Sequence, residues 1–437
     1  MKFSQVSAVR IPKGSTARVR SKSVTLWEKY PVLARYVSLG DSIAAGHTIN
    51  ADWEKDYGEK SQYGKNGNTE TKIVPGCYTD LIRKDLLATY GDGRILVVSF
   101  ARSGDTVEDL VEKLSHARVR DAISKAGYVT VCIGANDVLE PAMSHLEEYI
   151  MTSSLESVNA IIEENMARLN DDSAATSFVG LFNELTAINP TAKFAFTTIY
   201  NPYKYLYLHP GHNGFFGPLL NTIPEMVLDV DAIIESMFGI DDLGYFDISK
   251  WEWVSIELNA NISSLIKDGL LGTPIVQQLF ARTNALSAIS EGYVTRLNEI
   301  LRSKINGYNQ NFVLAETKAL FDQYPDKTDS KDDVDYSDLV NVEFTRNYDV
   351  AKMDWGQLYG GDPAGFWTSL AWKHLRFSNA VPSTNVWDYV SFNLNGFAED
   401  LVEQIIVKVI QPDVDPHPEE QGHVVLKQSF EQAFEWK

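Results

Sequence analysis

At 437 residues, 44% of them apolar, the chain is long enough for one large domain with insertions or for two domains. Its formal net charge of −20 argues against nucleic acid as a partner, because neutralising phosphates takes a basic surface. No apolar run reaches the length of a membrane span, Met1–Ser7 lacks the apolar core of a secretory signal, and two cysteines, Cys77 and Cys132, make no disulfide framework.

The first 30 residues carry seven basic side chains against one acidic, Glu28, so the rest of the chain must be strongly acidic. Val6, Val9 and Ile11 precede a Pro12-Lys13-Gly14-Ser15 turn, and Ala17, Val19, Val24 and Leu26 follow it. That pattern predicts a hairpin or small β unit over residues 1–33. A lone hairpin is marginal in water, so it must pack on the main domain or dock on another protein.

From Val32 onward apolar runs alternate with helical spacing. Tyr36–Leu39 is a buried-type strand that stops abruptly in Gly40-Asp41-Ser42. A polar, glycine-containing loop fills 48–74, then Tyr78, Leu81, Leu86 and Leu87 fall at helical spacing within Cys77–Tyr90. Ile95–Ala101 is a second strand, followed by Ser103-Gly104-Asp105-Thr106 and an amphipathic helix through Leu110, Val111 and Leu114, which Asp105 or Thr106 would cap. Residues 122–126 read as helical. Tyr128–Ile133 is a third strand ending in Gly134-Ala135-Asn136-Asp137, and Cys132 within it reads as a buried core thiol. Helices fill 141–189, and Lys193–Tyr200 is a fourth strand closed by Asn201-Pro202. An aromatic-rich insertion covers about 203–280, a helix spans 293–305, and Phe312–Ala315 is a fifth strand. A second insertion covers about 325–395. A helix over 397–410, a proline-rich loop through His417 and a final helix complete the chain. Strands alternating with helices imply a mostly parallel sheet with helices on both faces. The insertions are expected to interrupt one α/β domain over 34–437.

Ser42, Gly104 and Asn136 all follow the carboxyl ends of predicted strands, where open α/β sheets bind ligands. Acyl transfer needs a nucleophile, a base and oxyanion donors. Ser42 is the candidate nucleophile, and His417 would take its proton and return it to the leaving group. The backbone N–H of Ser42, the unobstructed N–H of Gly104 and the side-chain amide of Asn136 would hold the oxyanion. The turn is not the Gly-x-Ser-x-Gly elbow of α/β-hydrolases, because Ala44 stands two residues after the serine.

Gly40-Asp41-Ser42, Gly104, Gly134-Ala135-Asn136-Asp137 and Asp415-Pro416-His417-Pro418 resemble, in order, the four blocks of the SGNH (GDSL-type) hydrolases. Gly422-His423 also resembles the continuation of the last block. The resemblance covers roughly residues 34–200 and 395–425. It implies a flavodoxin-like three-layer α/β/α fold with about five parallel strands. It also implies serine esterase or lipase chemistry on an O-acyl carbohydrate or lipid ester, with no cofactor or metal. One departure concerns the acid: the family's usual aspartate, three residues before the histidine, is here Val414. Asp415 is the favoured orienter of His417, with Asp413 or a backbone carbonyl as alternatives.

The other histidines read more plainly. His47 is a loop residue near the site, His423 is structural, and His209 and His212 lack a third partner for a metal. The aspartates of 326–338 lack the glycine and glutamate of an EF-hand loop. Asp41 and Asp137 would brace the loops that carry Ser42 and Asn136. The tryptophans of the insertions would form a lid, a substrate platform or a local core. A second reading keeps the scaffold without the activity. A basic β arm, no secretory signal and large inserts resemble hydrolases carried on bacteriophage particles. The expected location is accordingly soluble, in the cytoplasm or on a virion.

Overall fold

The computed structural model describes residues 34–47, 49, 72–145, 148–149, 152, 154–205, 264–325, 334–340, 363–377, 390–405 and 417–436. The N-terminal arm, most of the first insertion, and both candidate acids, Asp413 and Asp415, lie outside these residues. So do His209 and His212, and Trp251, Trp253, Trp355 and Trp387 of the insertions.

Five strands form the central sheet: β1 (Ala34–Gly40), β2 (Ile95–Ser99), β3 (Tyr128–Cys132), β4 (Lys193–Thr197) and β5 (Phe312–Ala315). Their spatial order is β2-β1-β3-β4-β5, and every pairing is parallel. The inner strands are buried on both faces, which is why they read as unbroken apolar runs. Parallel neighbours need crossovers, and helices supply them. Between β1 and β2 run the turn α1 (Ser42–Ala45) and α2 (Tyr78–Tyr90). Between β2 and β3 run α3 (Val107–Lys113) and α4 (Ala117–Ser124). Between β3 and β4 run α5 (Ala135–Ser144), α6 (Glu156–Asn170) and α7 (Phe178–Ile188), and α8 (Pro274–Gly307) leads to β5.

The chain continues through α9 (Thr317–Phe321), α10 (Pro363–His374), an antiparallel pair β6 (Leu375–Phe377) and β7 (Val390–Phe392), α11 (Leu394–Ile405) and α12 (Glu420–Ala433). One helical layer has α12 packed on α2, α9, β4 and β5; the other has α7 packed on α3, α4, α6 and α8. The fold is the flavodoxin-like α/β/α sandwich. The strand order reverses between β1 and β3. The loops leaving these two strands therefore diverge and open a crevice at their carboxyl ends.

The expected helix over 293–305 is instead the 34-residue α8. It starts at Pro274, whose missing N–H is harmless in a first turn. Its buried stripe includes Thr283, Ser290 and Asn298, which interrupt the apolar periodicity. Ser290 and Asn298 occupy core positions because they hold the loop after β4. Asn298 Oδ1 accepts the Ile199 N–H and its Nδ2 donates to the Ile199 carbonyl, both at 2.8 Å. Ser290 Oγ donates to Asn201 Oδ1 at 2.9 Å. Thr106, not Asp105, caps α3, in a reciprocal capping box with Asp109. Trp367 on α10 is fully buried against Phe366 and Phe397, so its work is packing. Among the described residues, no helix is long and apolar enough to cross a membrane.

Candidate active site

Ser42 is the first residue of α1, directly after β1. Asp41 caps this short turn, its Oδ1 accepting the Ile43 N–H at 3.0 Å, and Gly46 closes it in the left-handed region at φ 77°. The sharp departure from the sheet depends on Gly40. Its φ is +139°, and a Cβ there would lie 2.0 Å from the Cys132 carbonyl oxygen, which itself accepts the Asp41 N–H at 3.0 Å. Asp41 is fully buried, and burial pushes its carboxyl up to about 8, with Asp105 and Asp137 adding like charge. It is therefore a protonated brace at neutral pH.

Gly104 lies in the turn after β2, at φ +81°. The following residue, Asp105, is buried in an ion pair with Lys113 and accepts from Arg102 Nε at 2.7 Å. Asn136 stands at the start of α5, after Gly134. Its Nδ2 donates to the Asp105 carbonyl at 2.8 Å, so the second and third loops are stitched together. Asp137 adds to the stitch: its Oδ2 accepts the Val107 N–H at 3.1 Å and its Oδ1 meets Arg168 at 2.5 Å. Asn165 donates to the Asp137 carbonyl at 2.8 Å. Burial holds the Asp137 carboxyl above the usual aspartate value despite Arg168.

His417 sits just before α12, and the segment 334–340 fixes its anchorage. Pro418 bridges Val340, and the Glu419 N–H donates to the Leu339 carbonyl at 2.9 Å. Gly422 faces that same carbonyl, and a Cβ there would approach it to 2.2 Å. One turn on, His423 is fully buried and its Nδ1 accepts the Tyr78 N–H at 3.3 Å. Burial, helped by the charge of nearby His417, pushes its pKa down to about 3, so it is a neutral structural residue.

Ser42, Gly104, Asn136 and His417 thus come from four separated places and line one cavity of about 470 Å³. Ile43, Leu139, Ile199, Tyr200 and Tyr203 form its apolar wall, and Glu140 and Ser144 add polar groups. His47 and Ser103 also line it, and the His47 ring lies against that of His417. Sequence reasoning left His47 as a loop residue and missed the wall over 199–203. The wall follows the carboxyl end of β4, so the rule that located the other three loops would have found it too.

A family model of the GDSL-like lipases and acylhydrolases matches residues 36–346. The chain belongs to that family. It is a serine ester hydrolase of the GDSL type, and the matched span includes Ser42, Gly104 and Asn136 but ends before His417. Curated protein sequences contain no match. Similar solved structures include an acetylxylan esterase from Geobacillus stearothermophilus, at 15% identity and TM-score 0.34, covering 94% of this chain and 97% of that one. They also include a phospholipase A1 from Streptomyces albidoflavus, at 13% identity and TM-score 0.34, covering 67% and 82%. A lipase from a goat rumen metagenome matches at 12% identity and TM-score 0.32, covering 66% and 82%.

Proposed function

We propose that this GDSL hydrolase cleaves a neutral carboxylic ester, an O-acyl carbohydrate or a neutral lipid ester, through an acyl-enzyme on Ser42. The observation that carries this reading is the convergence of Ser42, Gly104, Asn136 and His417 on one cavity. Ser42 Oγ attacks the ester carbonyl while His417 takes its proton. The oxyanion is met by the N–H groups of Ser42 and Gly104 and by the amide of Asn136. One Asn136 Nδ2 hydrogen already binds the Asp105 carbonyl, which aims the amide and leaves its second hydrogen for substrate. His417 then protonates the departing alcohol, and water, activated by the same imidazole, releases the acid. Asp415 is assigned to orient His417 on its place in the sequence, with Asp413 or a backbone carbonyl as the alternatives.

The cavity's size is that of a typical small-molecule site, and its wall is mostly apolar. That suits an acyl group or a compact acylated alcohol. Among the described residues its lining carries the carboxylate of Glu140 and neither lysine nor arginine, which disfavours an anionic substrate such as a phospholipid. The test is a panel of p-nitrophenyl esters, acetylated sugars, triglycerides and phospholipids, run on wild type and Ser42→Ala. The variant should lose hydrolysis and labelling by a fluorophosphonate probe while unfolding at the same temperature as wild type. Full hydrolysis by Ser42→Ala would overturn the mechanism, and a preference for phospholipids would overturn the substrate assignment.

A further inference from the structure

His47 has three ties to the machinery and no role in it so far. Its backbone N–H donates to the Ser42 carbonyl at 3.0 Å. Its Nδ1 shares a 2.9 Å hydrogen bond with the hydroxyl of Ser103, the residue before Gly104. Its ring stacks on that of His417, with centroids 4.3 Å apart and planes 12° from parallel. One residue thus touches the nucleophile's turn through its backbone, and the second loop and the base through its ring.

We propose that His47 is a positioning residue whose ring fixes the plane of the His417 imidazole; this rests on the catalytic reading above. His417 reaches the cavity from the short segment before α12, which is tied to residues 339–340 at Pro418 and Glu419. His47 is held close behind Gly46 at the end of α1, by its own backbone bond and by the serine at its ring edge. A flat ring at stacking distance lets His417 turn within its plane but opposes tilting out of it. Motion within the plane is what a base needs as it passes a proton from Ser42 Oγ to the leaving oxygen. The π face also lies against the imidazolium formed part-way, an arrangement that favours the cation.

The test compares His47→Ala, His47→Gln and His47→Phe in the full chain, with Ser42→Ala beside them. Glutamine keeps a polar group for Ser103 but offers no ring, and phenylalanine keeps the ring but not the bond. We expect His47→Ala and His47→Gln to lower kcat on p-nitrophenyl acetate about 10- to 100-fold, with KM changed less than about threefold. His47→Phe should recover most of kcat. Wild-type kcat in His47→Ala would overturn the proposal, and so would glutamine restoring kcat as well as phenylalanine does. Equal losses in all three would overturn it too. Activity surviving in Ser42→Ala would instead condemn the catalytic reading beneath it, so the two failures are distinguishable.

Discussion

The buried carboxyl behind the nucleophile should leave a signature in the stability of the whole protein. In the fold the Asp41 pKa is raised to about 8, against 3.8 for an ordinary aspartate. Between those values the unfolded chain has released this proton and the folded chain keeps it. Stability from this group is therefore complete below about pH 4 and is lost as pH rises toward 8. The slope is at most about 1.4 kcal/mol per pH unit, so the loss from pH 5 to pH 7 has a ceiling near 3 kcal/mol. Asp41→Asn removes the titration and keeps the oxygen that caps α1. Among the described residues Asp41 Oδ2 has no hydrogen-bond partner, so the new amide adds an offset of about 1–3 kcal/mol. That offset does not change with pH. Urea unfolding followed by tryptophan fluorescence, on both proteins from pH 5 to pH 7, separates the two effects. The variant should gain on wild type steadily as pH rises. Parallel curves, or a variant that falls further behind wild type as pH rises, would refute a protonated Asp41.

Two further outcomes follow from the loops around Asn136. Removing the oxyanion amide in Asn136→Ala should lower kcat about 100- to 1,000-fold with little change in KM, measured on p-nitrophenyl acetate; a fall of less than about threefold would remove Asn136 from the oxyanion hole. Arg168→Met should strand the buried Asp137 carboxylate and destabilise the protein by about 2–4 kcal/mol in urea unfolding, since breaking one side of a buried ion pair leaves its charge uncompensated. Stability within about 0.5 kcal/mol of wild type would mean that Asp137 does not depend on Arg168.

The strands and the turns that end them were legible in the sequence because their causes are local. A strand buried on both faces must be apolar along its length, and Gly40, Gly104 and Gly134 mark sharp exits at positive φ. The full length of α8 was not legible. Ser290 and Asn298 look like breaks in an apolar stripe until the loop after β4 supplies their hydrogen bonds. The virion reading and the choice among Asp415, Asp413 and a backbone carbonyl as the orienter of His417 stand as the sequence left them, with the N-terminal arm and both aspartates outside the described residues.

By itself, the sequence determined the order of elements, the α/β class and the four short blocks, because periodicity and turn chemistry act over a few residues. Only the tertiary structure decided which groups share a space. The reversal of strand order between β1 and β3 opens the crevice, and the anchoring of the segment before α12 on residues 339–340 carries His417 to it. The stack of His47 on His417 belongs to that second kind of fact. It joins residues from opposite ends of the chain, and no local rule of spacing could have paired them.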